Sequence, residues 1–259
     1  MRFDRTLVQI RERSFPELLD LAVVVIRKRF RVIAPTALLG IVPFILFNAW
    51  VASWPDRGTL LIFLIPLEAP WATAPLTLVL ASLMFGETIT PRKIGSRLIS
   101  ALPALIFYQL IIRAILLIVF ILIPLIPTRM GFTNEVLLLE RDRWYKALKR
   151  VGTLSESRGG DLFGQFLAMM CATTAFVACS YIGSGTIINS LFEADLTWEP
   201  ASFADFVGLR VQIPLWIAIA FSAVVRFFSY IDQRIRIEGW EVELRLKLVA
   251  QSMEEAKQW

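Results

Sequence analysis

The amino-acid sequence predicts an all-α protein, a polytopic bundle of membrane helices with six crossings and further amphipathic helices at the membrane surface. Of the 259 residues, 56% are hydrophobic and only 19% are charged, and the mean hydropathy is +0.63. Soluble domains are about 45–50% apolar. The apolar residues also come in long blocks, and a helix needs about 20 of them to cross a bilayer.

The first 31 residues are predicted to be a cytoplasmic segment that contains an interfacial helix. In SFPELLDLAVVVIRKRF, Ser14 and Glu17 have the spacing of a capping box, and Pro16 suits an early helical position. The apolar run 18–26 is too short to span the membrane. It therefore favours a helix that lies at the surface and leads into the first crossing.

A membrane domain is predicted for residues 32–231. Five crossings are evident, at residues 32–50, 70–85, 98–123, 161–182 and 211–231. The second is short, and the apolar GTLLIFLIPL before it either completes the span or lies at the surface. Small residues on the crossing at 161–182 (Gly164, Ala168, Ala172 and Ala175) favour packing inside the bundle, with homodimerisation as the alternative. Its two cysteines, Cys171 and Cys179, are interpreted as small core residues.

Positive charge predicts a sixth crossing. Basic residues cluster before residue 32, after residue 85, near residue 150 and after residue 231. Five crossings would place the cluster near residue 150 on the side opposite to the others, against the positive-inside rule. A polar, buried crossing within residues 124–140 restores the rule and makes both termini cytoplasmic. The alternative is a loop there, with one violation of the rule.

An amphipathic cytoplasmic helix is predicted at about residues 141–157. Its apolar face consists of Trp144, Ala147, Leu148, Val151 and Leu154. Lys146, Lys149 and Arg150 are candidate contacts for anionic headgroups of the inner leaflet. The alternative is a connector helix packed on the bundle, and the two interpretations are compatible.

The tail, residues 232–259, follows the last crossing and begins within the stretch YIDQRIRIEGWEVELRLK. Its alternation of polar and apolar residues is typical of a strand. However, Glu241–Arg245 and Glu243–Lys247 have helical i,i+4 spacing, which favours a helix with a break at Gly239. On that helix Trp240, Leu244 and Leu248 form a candidate surface for a protein partner.

Ionisable side chains inside a membrane are costly and often functional. The candidate intramembrane polar residues are Glu68, Gln109, Arg113, Arg129 and Glu135. Helical rise makes a cluster of Glu68, Gln109 and Arg113 possible, with Arg129 as a further member. Such a cluster is either a site for a solute or headgroup, or a buried ion pair that fixes helix register. Arg226 is expected to extend to the surface, whereas Glu135 has no evident partner.

The composition argues against catalysis. The chain has no histidine, which removes the commonest general base and metal ligand. We identify no catalytic, cofactor-binding or metal-binding residues, and we expect no cofactor. No basic run interleaves with aromatic residues, so we expect no nucleic-acid partner.

Three stretches resemble the superfamily of the glycerophosphoryl diester phosphodiesterase membrane domain and its stand-alone bacterial relatives. They are ELLDLAVVVIRKRF, LIPLIPTRMGFTNEVLLLERDRWYKALKRVGTLSESRGGDLF and YIDQRIRIEGWEVEL, similar to an opening interfacial helix, a central proline turn with an amphipathic helix, and a closing YxDxRxRxEG motif. Val151 and Gly152 depart from the family's serine. The resemblance implies a six-helix domain of the bacterial inner membrane, and no activity.

The sequence thus predicts a non-enzymatic scaffold or accessory subunit of a membrane complex. Anionic lipids are expected contacts, and a membrane or cytoplasmic protein is a possible partner. The alternative is a transporter or lipid-handling protein that uses the buried charges. The oligomeric state is left open.

Overall fold

A computed structural model describes residues 13–54, 60–86, 90–119, 125–140, 144–156, 158–192 and 208–238. Their helices are α1 (Phe15–Lys28), α2 (Phe30–Ala52), α3 (Leu61–Met84), α4 (Pro91–Leu105), a π-helix (Ile106–Ile112), α5 (Arg113–Ile118), α6 (Leu125–Arg129), α7 (Thr133–Leu139), α8 (Trp144–Glu156), α9 (Gly159–Phe192) and α10 (Leu209–Glu238). Within these residues every regular element is helical, which confirms the predicted all-α class.

Five helical segments are long and apolar enough to cross a membrane. They are Phe30–Ala52, Leu61–Met84, Pro91–Ile118, Gly159–Leu191 and Leu209–Ile237. These correspond to the five evident crossings. The apolar run before residue 70 belongs to α3 and completes the second span, which settles the question that the short apolar block left open.

The sixth predicted crossing is not a single spanning helix. Residues 125–139 form two short helices, α6 and α7, and the seven residues of α7 rise only roughly 10 Å. Residues 130–132 separate the two helices, and the chain is tight there, since a Cβ at Gly131 would lie 2.7 Å from the carbonyl oxygen of Pro127. Residues 133–138 are all buried, so α7 lies inside the bundle as the sequence indicates.

The two predicted surface helices both pack on the protein. Leu18, Ala22 and Val25 of α1 are buried. Ser14 is the N-cap residue of α1, but its side chain makes no capping hydrogen bond, so that part of the predicted capping box does not form. On α8, Ala147 and Val151 lie in the main hydrophobic core, so this helix packs against the bundle.

Helices α2 and α3 approach each other closely at Gly40. A Cβ at this position would overlap the carbonyl oxygen of Ala72 in α3, so only glycine allows this distance. Helix α3 also packs on α10, which carries the fully buried Trp216, Phe227 and Tyr230. These two helices form the centre of the bundle.

Helix α9 is attached along one side only. It packs on α10, α6 and α8, yet only 6% of its apolar window is buried. Its small residues Gly164, Ala168, Ala172 and Ala175 are exposed, and so are Cys171 and Cys179. The prediction that they pack inside the bundle is therefore wrong. Hydropathy alone cannot distinguish a face that meets protein from one that meets lipid.

Both ends of the described chain lie at one end of the bundle, called here the basic end and formed by α1, α8 and residues 230–238 of α10. The backbone N–H of Arg13 donates a hydrogen bond of 2.7 Å to Asp232, and Arg236 donates one of 2.9 Å to the Arg13 carbonyl. Residues 230–238 are helical, which agrees with the predicted helix and not with a strand. The predicted partner surface of Trp240, Leu244 and Leu248 lies outside the described residues.

Candidate functional site: a groove with two buried arginines

The candidate polar residues do not form one cluster. Glu68 pairs across helices with Asn48 of α2, whose side-chain amide donates a hydrogen bond of 2.9 Å to the carboxylate. Both side chains are buried. This pair joins α2 to α3, and among the described residues Glu68 makes no hydrogen bond or ion pair with Gln109 or Arg113.

Gln109 and Arg113 do come together, one turn apart on the same helical segment. The Arg113 Nη1 atom donates a hydrogen bond of 3.2 Å to the Gln109 side-chain oxygen. Arg129 is exposed at the end of α6 and does not contribute to the groove described below. The predicted cluster therefore forms only in part. Gln109 and Arg113 interact within one helical segment, and within the described part of the chain the expected bonds to residues of other helices are not made.

Glu135 and Arg226 form the principal ion pair inside the membrane domain. The Nε atom of Arg226 lies 2.8 Å from a carboxylate oxygen of Glu135, and the Glu135 side chain is fully buried. Arg226 was expected to extend to the surface and Glu135 to lack a partner. The structure corrects both expectations, because α7 and α10 bring the two residues together from positions 91 apart in the chain.

Beside this ion pair lies a groove of about 600 Å³. Helices α3, α9 and α10 supply most of its wall, and the other lining residues are Phe15, Arg113, Pro127, Gly131 and Phe132. Along α10 it extends from Leu215 to Ser229, roughly 21 Å at the rise of an α-helix. That length exceeds one leaflet of the hydrocarbon core, roughly 15 Å.

The wall of the groove is mostly apolar and carries isolated polar groups. The small polar side chains that line it are Thr73, Gln165, Thr173, Thr174, Ser222 and Ser229. At one end, Ser229 donates a hydrogen bond of 3.0 Å to Gln165 and thereby joins α10 to α9. The charged residues that line the groove are Arg113 and Arg226, and among the described residues no carboxylate lines it.

Several buried atoms next to the groove have no hydrogen-bond partner among the described residues. They include Nε of Arg113, Nη2 of Arg226 and the second carboxylate oxygen of Glu135. Unsatisfied buried polar atoms are unusual in proteins, and they mark places where a further group can bind. Both arginines therefore line the groove and retain donors that have no hydrogen-bond partner among the described residues.

Arg226 lies in the membrane-spanning part of α10, about one turn before the basic end. It is roughly 25 Å along α10 from Leu209 and roughly 6 Å from Tyr230, at about 1.5 Å per residue. Charges within a membrane-spanning helix are costly, face the bundle interior or a cavity, and are frequently functional. Arg226 satisfies this description, because its side chain remains 30% exposed and lines the groove.

A second polar group joins elements at the basic end. Tyr230 donates a hydrogen bond of 2.7 Å to Glu140, and Arg150 binds the same carboxylate at 2.8 Å. Two residues further along the chain, Asp232 lies 2.8 Å from Arg236 and 3.8 Å from Arg158. Tyr230 therefore links α10 to the end of α7 and to α8 through Glu140. Asp232 links α10 to α1 and to the start of α9.

The three predicted headgroup contacts have different surroundings in the structure. Lys146 and Lys149 are exposed on α8, whereas Arg150 is engaged with Glu140. Contact of these residues with anionic lipid stays a prediction.

Sequence reasoning did not identify Asn48, although a lone asparagine in an apolar span is a usable signal. It also missed the Gln165–Ser229 bond, for which the sequence holds no signal. Within the described residues, no group of three or more histidine, cysteine, aspartate or glutamate side chains could hold a metal ion. Comparisons of this chain with protein-family models, curated proteins and solved structures found no match.

Proposed function

We propose that this integral membrane protein handles lipid, and that the groove between α3, α9 and α10 takes up a lipid molecule from the surrounding bilayer. The observation that supports this proposal is a mostly apolar groove whose wall also carries two arginines, Arg113 and Arg226. It is the alternative that the sequence offered, now favoured over the scaffold role because the buried charges line a cavity.

The shape of the groove suits a lipid chain. Its volume of about 600 Å³ lies within the range of small-molecule sites, roughly 300–1,000 Å³. An apolar wall longer than one leaflet can accommodate an extended acyl chain, and the scattered hydroxyl groups do not prevent this. The hydrophobic contribution to binding then grows with the apolar area that the chain buries.

The position of the groove suits entry from the bilayer. Ile62 of α3 and Met170 of α9 both line it, yet they are 52% and 48% exposed. These side chains lie on helices long enough to span the membrane, so the surface they share faces lipid rather than water. A molecule can therefore reach the groove laterally without crossing an aqueous phase.

The test compares two alanine-to-tryptophan variants. Ala69→Trp places an indole inside the groove, whereas Ala175→Trp places it on the exposed surface of α9. We expect native mass spectrometry of protein extracted in mild detergent to detect bound lipid with Ala175→Trp at the unaltered level. Ala69→Trp should lower that occupancy on the order of ten-fold.

Both variants must also retain the thermal unfolding transition of the unaltered protein. Equal lipid occupancy in a folded Ala69→Trp variant would contradict the proposed function. Loss of lipid in both variants would indicate binding at the general surface of the bundle, and would equally contradict a role for the groove.

We further propose that the basic end faces the cytoplasm of a bacterial cell, in its inner membrane. The support is the positive-inside rule, together with the family resemblance of the three stretches. The accessory-subunit role remains a prediction that depends on the tail beyond residue 238. Copurification of an unchanged protein partner after deletion of residues 240–259 would contradict it.

A further inference from the structure

We infer that the groove selects lipids with an anionic headgroup, and that Arg113 and Arg226 together bind that headgroup. The inference rests on the proposed function and deepens it by naming the class of lipid. It starts from the imbalance of charge at the groove, where two arginines line the wall and one carboxylate, Glu135, pairs with Arg226.

The imbalance is local and specific. Glu135 binds Arg226 at 2.8 Å, and the partner of Arg113 is the neutral side chain of Gln109 at 3.2 Å. The other intramembrane carboxylate, Glu68, is bound to Asn48. Among the described residues that line the groove, one positive charge is therefore left without a counter-charge.

A charge inside the membrane domain without a counter-charge is strongly unfavourable, and an anion in the groove would remove that cost. Guanidinium groups suit this role because their planar donors match the oxygens of phosphate and carboxylate. The donors are present, since Nε of Arg113 and Nη2 of Arg226 are buried and have no partner among the described residues.

The ligand is a lipid rather than a free anion. Arg226 lies in the membrane-spanning part of α10, and the residues around it in the groove are mostly apolar. A free phosphate would lose its hydration there and gain no contact for the remaining wall. A lipid places its chain against that wall while its headgroup meets the two arginines.

The test measures the preference of detergent-solubilised, delipidated protein for phosphatidylglycerol over phosphatidylcholine with identical acyl chains. Dissociation constants are obtained by titration with native mass spectrometry. We expect the acidic lipid to bind on the order of ten-fold more tightly. Arg113→Gln should abolish this preference, because it removes the surplus charge.

A second variant changes the preference in the opposite direction. Glu135→Gln removes the internal counter-charge and leaves two arginines available, so the preference for the acidic lipid should increase several-fold. A purely structural role of these residues would weaken the binding of both lipids in both variants. Arg129→Gln, at an exposed arginine outside the groove, is the matched control and should change nothing.

The outcomes separate this inference from the proposed function. If Ala69→Trp abolishes the binding of both lipids but Arg113→Gln and Glu135→Gln leave their ratio unchanged, the groove binds lipid and the inference is wrong. If Arg113→Gln does not fold, an unchanged ratio in Glu135→Gln suffices to reject it. Competition by millimolar inorganic phosphate would also overturn it, because the site would then accept a free anion.

Discussion

Single polar side chains connect helices of this protein at several depths. The Asn48–Glu68 pair joins α2 to α3, and the Asn134 amide donates a hydrogen bond of 3.1 Å to the Pro70 carbonyl of α3. In an apolar environment such groups bind each other because no water is present to replace the partner. Each of these residues therefore fixes how one helix lies against another.

The clearest case for measurement at the scale of one residue is Tyr230. Its hydroxyl donates to the Glu140 carboxylate at 2.7 Å, while its ring packs on Phe132. Tyr230→Phe removes the hydrogen bond and keeps the ring. We expect the free energy of unfolding in detergent to fall by about 1.5–3 kcal/mol, the usual contribution of a hydrogen bond to a charged group.

Tyr181→Phe is the matched control for this variant. Tyr181 contacts Arg210 through its ring and through its backbone carbonyl, and the substitution preserves both contacts. Its free energy of unfolding should change by less than about 0.5 kcal/mol. Equal losses in the two variants would mean that the Tyr230–Glu140 bond has no special weight.

At the scale of elements, the contact between α2 and α3 depends on the absence of a side chain. Gly40→Ala would place a methyl group against the Ala72 carbonyl, which belongs to a rigid helix backbone. We expect this variant to lower the free energy of unfolding by about 1–3 kcal/mol, as overpacking does. The measurement is chemical unfolding in detergent, followed by circular dichroism.

The control for Gly40→Ala is the same substitution at Gly183 in α9. No heavy atom lies within 4 Å of a Cβ at Gly183, so the added methyl group meets open space. There the stability should remain the same or rise slightly, since alanine favours a helix more than glycine does. A loss at Gly183 equal to that at Gly40 would refute the steric explanation.

Hydropathy predicts which segments are helices, and it fails where a helix is short or lies at the rim. The five long spans follow from their apolar blocks alone. The α6–α7 segment does not, because residues 130–132 break a stretch whose charge pattern predicted a full crossing. The exposure of α9 could not be predicted either, since an apolar side chain suits lipid as well as protein.

The candidate site, too, could be predicted from the sequence only in part. Composition identifies Glu135 and Arg226 as charges within spans, because such residues are rare there. Their pairing depends on the placement of α7 against α10, and the two positions are 91 residues apart. Nothing local in the sequence encodes that distance, so the ion pair could be found only in three dimensions.

At the scale of the whole molecule, the Arg13–Asp232 bond places both ends of the described chain at the basic end. Cysteine labelling tests this arrangement and its predicted orientation. With Cys171 and Cys179 replaced by alanine, Ser53→Cys should react with an impermeant maleimide on intact cells. Arg29→Cys and Asp161→Cys should react only after the cells are broken.

Each outcome of the labelling experiment is informative. Reaction of the Arg29 and Asp161 variants from opposite sides would contradict a shared end of the bundle. Reaction of both from outside, with the Ser53 variant protected, would keep the architecture and reverse the proposed orientation.

The long separation between bonded partners has a consequence for biosynthesis. Arg13 and Asp232 are 219 residues apart, and α10 is the last helix that the structure describes. At about 5–20 residues per second, roughly 10–40 s of translation separate the emergence of the two residues. Glu135 is likewise synthesised before its ionic partner Arg226. The nascent chain therefore holds an uncompensated carboxylate near or within the bilayer for several seconds, and α10 neutralises it only when the last span arrives.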